Sequence, residues 1–164
     1  MNTNLKWERG FLSSIYRISS NGRMIGNLDI RAFSNTDIGI LNGEKYIFKA
    51  KGFFTRYTEI VNAKDHTVIG KITYSGWRSK ATLTMLNKKA IWKYDNLWHS
   101  RWSISNFSGI EIKYAGSSSN GKIDSNTDDA LLLLCGLIVP NYFRQVSVAV
   151  MVAVFIPIWT SMQH

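Results

Sequence analysis

Short apolar–polar alternations punctuated by turn residues run through the chain from 13 to 115, and they constrain the fold more than any other feature. Ile15-Tyr16-Arg17-Ile18 runs into Asn21-Gly22, and Met24 to Ile30 follows. Ile38-Gly39-Ile40-Leu41 leads to Asn42-Gly43, and then to Lys45-Tyr46-Ile47-Phe48-Lys49. Asn-Gly between two alternating runs favours a tight hairpin, because both residues accept the positive φ that such turns need. Further runs start at Tyr57, Thr67, Ala81, Ala90, Arg101 and Gly109. About ten strands spaced roughly ten residues apart predict an all-β meander closing into a sandwich or barrel. One face of each strand is apolar and the other polar, which gives the sheet one buried side.

The length of 164 residues suits one domain, or one domain with an appendage. Apolar residues make up 45 %, enough for a packed core. The single cysteine, Cys135, excludes an intrachain disulfide and a cysteine-based zinc site. Only 19 % of residues are charged, yet the net charge is +9. The excess is uneven. Nineteen of the twenty basic residues and eight of the eleven acidic ones fall in 1–123, a net +11, whereas 124–164 holds Arg144 against Asp124, Asp128 and Asp129. The Gly- and Ser-rich stretch 116–121 between the two parts reads as a flexible loop.

The tail is apolar. Residues 130–139 are apolar all round, which predicts burial on every side. Thr127, Asp128 and Asp129 just before them suit a helix N-terminus. Ten helical residues span about 15 Å, half of a bilayer core of about 30 Å, so this segment is expected to be a core helix at about 128–140. Pro140 is expected to break it. A second apolar stretch, 146–159, is at or below spanning length. Three arrangements of the tail are compatible with this pattern: a helical hairpin in a membrane, a core helix followed by an anchor, or both segments buried, the second as helix or strand.

The strand–bend–strand rhythm of Lys45-Tyr46-Ile47-Phe48-Lys49-Ala50-Lys51-Gly52-Phe53-Phe54, Tyr57-Thr58-Glu59-Ile60 and Asp65-His66-Thr67-Val68-Ile69-Gly70-Lys71-Ile72 is similar to that of the LURP-one-related and phospholipid scramblase proteins. Residues 131–143, with small Cys135 and Gly136, resemble the scramblase terminal helix. The chain thus resembles the tubby C-terminal-like superfamily over about 10–143. The resemblance implies a closed β-barrel around a C-terminal hydrophobic helix on its axis, with 144–164 as an apolar extension. It departs from the family in having about ten legible strands rather than twelve, no Cys- or Pro-rich N-terminal features, and the added segment 146–159. Tubby domains bind phosphoinositide headgroups through a basic surface, which implies lipid as the partner.

Signatures of catalysis are missing from the sequence. It holds no phosphate-binding glycine loop and no G-x-S-x-G. His66, His99 and His164 have no metal-ligand spacing. Asp124-Ser125-Asn126-Thr127-Asp128 opens like a calcium loop but lacks its glycine and its glutamate, and reads as capping. The expectation is a non-enzymatic protein without a cofactor. Aromatic and basic residues interleave at Phe53-Phe54-Thr55-Arg56-Tyr57, Trp77-Arg78-Ser79-Lys80, Lys88-Lys89-Ala90-Ile91-Trp92-Lys93 and Trp98-His99-Ser100-Arg101-Trp102. Three meanings are open: aromatics inside a barrel with a solvated basic exterior, a surface for anionic phospholipid, or a single-stranded nucleic-acid platform. The density of charge selects Arg78, Lys80, Lys88, Lys89 and Lys93 as headgroup contacts. Nucleic acid is the weaker alternative, and an intramembrane protein with a soluble β-domain is a third. The first 20 residues carry Lys6, Glu8, Arg9 and Arg17 and no apolar signal core, so the expected location is cytoplasmic, at or anchored to a membrane. Oligomeric state is not encoded in these patterns.

Overall fold

The computed structural model describes residues 2–161 except 33, 53–55, 76 and 78, with side chains undescribed at 154 and 156–161. It is a twelve-stranded antiparallel barrel wrapped around one helix. The strands are β1 Thr3–Arg9, β2 Ile15–Ser20, β3 Arg23–Asp29, β4 Thr36–Leu41, β5 Glu44–Lys51, β6 Tyr57–Asn62, β7 Val68–Tyr74, β8 Lys80–Met85, β9 Lys88–Tyr94, β10 Arg101–Ser105, β11 Glu111–Gly116 and β12 Asn120–Ser125. Each pairs with its sequence neighbours, and β1 closes the barrel on β12 through Leu5 opposite Ile123 and Trp7 opposite Gly121. Asn21-Gly22 and Asn42-Gly43 turn with positive φ at all four residues, as hairpins of this kind require.

The alternation is read out as inside and outside. Leu5 and Trp7, Tyr16 and Ile18, Ala90 and Trp92, and Ile112 and Tyr114 point into the core while the residues between them face outward. Twelve strands enclose more space than their own side chains fill. The remainder is occupied by helix α1, Ala130–Ser161, whose first half supplies Leu131 to Cys135, Leu137 to Val139 and Phe143 to the core. Fourteen residues from Ala130 to Phe143 cover about 21 Å, comparable with a strand of six residues at about 3.3 Å each. Asp129 caps the helix: its Oδ1 accepts the N–H of Leu132 at 3.1 Å, and its Oδ2 lies 2.6 Å from Lys88 Nζ.

Three sequence-based expectations need correction. The tail is one continuous helix rather than a helix and a second segment. Pro140 removes the N–H that would bond the carbonyl of Gly136 four residues earlier. That carbonyl instead accepts the indole N–H groups of Trp102 at 2.7 Å and Trp92 at 3.4 Å. The barrel wall therefore satisfies the group that the proline orphans, and the helix runs on. Residues 116–121 are a tight hairpin, with Gly116 ending β11 and Asn120-Gly121 starting β12, rather than a flexible loop. The two strands unread in the sequence are β1 and β12, which meet at the closure.

A double-mutant cycle tests the tryptophan–proline pairing. Trp102→Phe is expected to lower the free energy of urea unfolding by about 1–3 kcal/mol, the cost of leaving a buried carbonyl short of its best donor. The same change in a Pro140→Ala background is expected to cost less, because the N–H that alanine brings can serve that carbonyl. Equal costs in both backgrounds would refute the pairing.

Candidate membrane-facing surface

The five residues selected by charge density separate in the fold. Lys80 and Lys93 stand opposite each other on β8 and β9, outside the barrel and exposed. Lys89 is on the same outer face of β9, opposite Thr84 and four residues from Lys93. Four residues of strand cover about 13 Å. Lys88, one residue earlier, has the opposite parity and turns toward the barrel mouth, where it meets the helix-capping Asp129. Arg78 lies outside the described residues.

A residue that charge density missed joins this group. Lys71 lies on β7 in the same row as Lys89, with Thr84 between them. Between Asp65 and Asp95 the chain has six basic residues and no acidic one. The outer faces of β7, β8 and β9 thus form a sector carrying Lys71, Lys80, Lys89 and Lys93 with Thr73, Thr82, Thr84 and Ile91 between them. The acid-free gap was the sequence signal for it. Glu59 on β6 borders the sector opposite Lys71.

The interleaved aromatics divide between two places. Trp92 and Trp102 are buried, and Tyr94 packs between Trp92 and Phe143. Trp77 and Trp98 are almost wholly exposed, at 92 % and 88 %. Both sit in turns at one end of the barrel. In an up-and-down meander successive turns alternate between ends, so the β1–β2, β7–β8 and β9–β10 turns share an end. Those turns carry Phe11 and Leu12, Trp77, and Leu97 and Trp98, all exposed. It is also the end from which α1 leaves, since the helix starts beside the β4–β5 and β8–β9 turns.

From Val148 onward the helix stands clear of the barrel. Val148, Val150, Met151, Val152 and Phe155 are exposed, and Arg144 is the last charged side chain before the terminal histidine. The 24 residues Ala130–Ala153 are long and apolar enough to cross a bilayer, but the part up to Phe143 is mostly inside the protein. The enclosed half is core, and the projecting half is what remains for another apolar medium. Arg144 marks the boundary: Nη2 donates to Asn141 Oδ1 at 3.0 Å, and Tyr16 Oη donates to the same oxygen at 2.9 Å.

Two polar features lie at the exit end. A cleft of about 560 Å³ opens between β5 and the emerging helix, lined by Lys49, Lys51, Arg56, Tyr142 and Gln145 among others. Asp37 at the start of β4 has one carboxylate oxygen buried without a hydrogen-bond partner. Burial pushes its pKa up to about 7, opposed by the backbone N–H of Arg31 and reinforced by the charge of Asp29. At the other end, burial and the adjacent Glu44 carboxylate raise the Tyr46 phenol.

Among the described residues no three His, Cys, Asp or Glu side chains converge to hold a metal ion. His66 occupies the β6–β7 turn with positive φ, and His99 stacks on Tyr94 at 3.9 Å between ring centres. No family model, curated protein or solved structure matches this chain.

Proposed function

We propose that this is a non-enzymatic membrane-surface protein of the tubby-like kind, held to the bilayer by its projecting helix and to anionic phospholipid by the lysine sector of β7–β9. The observation that carries the reading is the exposed half of α1. A helix that docks on one protein partner needs one apolar face, but this one exposes apolar side chains in a consecutive run at 150–152 and has no charged residue after Arg144. Lipid is the medium that takes all sides at once. The charge of the sector sets the sign of the surface, because each Lys near an anionic leaflet contributes about 1 kcal/mol. The closed barrel around an axial helix supports the tubby-like kinship. The nucleic-acid reading is weaker, because the outer faces of β7–β9 carry threonines and Ile91 between the lysines and offer no aromatic platform for bases.

Flotation with phosphatidylcholine vesicles, with and without phosphatidylserine, tests this. Recovery is expected with both and greater with phosphatidylserine. The double variant Lys80→Glu/Lys93→Glu is expected to lose about thirtyfold or more in partitioning to the anionic vesicles, since the loss of two positive charges alone gives that factor. Equal recovery on neutral and anionic vesicles overturns the electrostatic part, and no recovery on either overturns the whole reading.

A further inference from the structure

The structure carries one further observation: the end of the barrel from which the helix emerges is ringed by apolar loop tips. We propose that this end is embedded in the membrane interface, with Phe11, Leu12, Trp77, Leu97 and Trp98 entering the lipid around α1, so that the barrel stands on the bilayer with its axis near the membrane normal. This rests on the membrane reading above and adds how the protein is mounted.

The five side chains belong to three turns far apart in sequence, and only the meander brings them to one end. Each is almost wholly exposed, from 88 % for Trp98 to 96 % for Phe11, so none contributes to the core. Turn tips are ordinarily polar, and large apolar side chains gathered on one face mark an interaction surface. Trp suits the headgroup region, where its ring is apolar and its N–H finds a partner.

The occupant follows from the helix at the centre of the ring. Residues 148–161 extend about 21 Å from the barrel, apolar as far as Trp159, against a hydrocarbon core of about 30 Å. A ring of apolar tips around an apolar rod matches the interface above an acyl layer. The charges agree. At the opposite end, where the helix begins, Glu44, Asp65, Asp128 and Asp129 are balanced by Lys45, Lys64, Lys88 and Lys89, so that end offers an anionic leaflet no comparable excess of positive charge. At the exit end Asp29 is paired with Arg31, Asp95 accepts the Ser103 hydroxyl, Asp37 is inside, and the exposed Glu8 stands opposite Arg17. Leu86 and Phe107 are also exposed at the opposite end, but without a projecting helix.

This mounting ranks the lysines. Lys80 begins β8 and Lys93 lies near the end of β9, both close to the exit end, whereas Lys89, the second residue of β9, is at the far end about 13 Å along the strand. Of these lysines the first two lie nearest the headgroups, and Lys88 and Lys89 lie farthest from them.

Single cysteines carrying the fluorophore NBD, placed in the full chain at Leu97 or Val150 and at Leu86 or Phe107, test the mounting on phosphatidylcholine–phosphatidylserine vesicles. Native Cys135 is buried, so the introduced cysteine takes the label. Probes at Leu97 and Val150 are expected to shift to the blue and to be quenched by acyl-brominated lipid, while those at Leu86 and Phe107 keep their aqueous emission. In parallel, Trp77→Ser/Trp98→Ser is expected to weaken vesicle binding about tenfold, and Phe107→Ser to leave it unchanged. An aqueous signal at Leu97 in vesicle-bound protein overturns the mounting while the membrane reading stands. Absence of vesicle binding overturns the membrane reading itself. A blue shift that precedes vesicle addition and grows with protein concentration overturns the mounting in favour of a second copy of the chain.

Discussion

Replacing Gly136 with valine is expected to destabilise the protein by about 3 kcal/mol or more and to abolish the near-ultraviolet circular dichroism of the packed tryptophans. A β-carbon at this position would lie 2.0, 2.1 and 2.5 Å from Cζ, Oη and Cε2 of Tyr114. The ring cannot yield cheaply. Its hydroxyl donates to the carbonyl of Leu133 at 3.1 Å, and its face stacks on Trp102 within 5° of parallel. Overpacking a tight core commonly costs about 1–3 kcal/mol, and here the obstructing atoms belong to a ring held on two sides. Gly136→Ala sharpens the test. On helix propensity alone it should stabilise the helix by about 1 kcal/mol. The contact with Tyr114 predicts the opposite sign. If alanine stabilises the protein in urea titrations, or if Gly136→Val costs as much in a Tyr114→Ala background as alone, the close approach is not what requires glycine.

The same residues show how far the chain could be read without its structure. Ten strands were legible because their alternation and their Asn-Gly turns are local signals. β12 was not, because Asn120 to Ser125 has one large apolar residue, Ile123, and two of its inward positions are glycine and serine. Gly121 is small because Trp7 of β1 fills that space: an added β-carbon would meet the indole at 2.1 Å. The strand is a strand because of a partner more than a hundred residues away, which no local pattern contains. Pro140 was read as a break because local physics makes it one, and only the two indoles across the barrel reverse that. Lysine density located the charged sector but not the direction of each side chain. Lys88 and Lys89 are adjacent, and strand parity sends one to the helix cap and the other to solvent. The ring of loop tips was invisible for a similar reason. Which end of a barrel a turn occupies depends on how many strands precede it, and β1 carries no local turn signal that would count it.

Asp37 sets the second large effect, which lies in the pH dependence of stability. Its carboxyl has an ordinary pKa of 3.8 and is raised to about 7 in the fold, chiefly because burial disfavours the charged form. Asp29 adds to this, the Arg31 N–H opposes it, and the phenol of Tyr74 lies near enough to feel the charge. A group that binds its proton more tightly when folded stabilises the protein at low pH, and that contribution is lost as pH rises from about 4 to about 7. Above pH 7 the folded protein holds a carboxylate with one oxygen unpartnered. Each pKa step is worth 1.36 kcal/mol, and part of the group reaches solvent, so the loss is on the order of 3 kcal/mol. Asp37→Asn removes the ionisation while keeping the shape. The variant and the parent protein are expected to unfold at similar urea concentrations near pH 4. At pH 8 the variant is expected to be the more stable by about 3 kcal/mol, with its curve flatter across the interval. Parallel curves for the two proteins from pH 4 to 8 would show that Asp37 ionises in the fold as it does in water. Such a result would remove the buried carboxylate as a source of instability at the end of the barrel where the helix emerges.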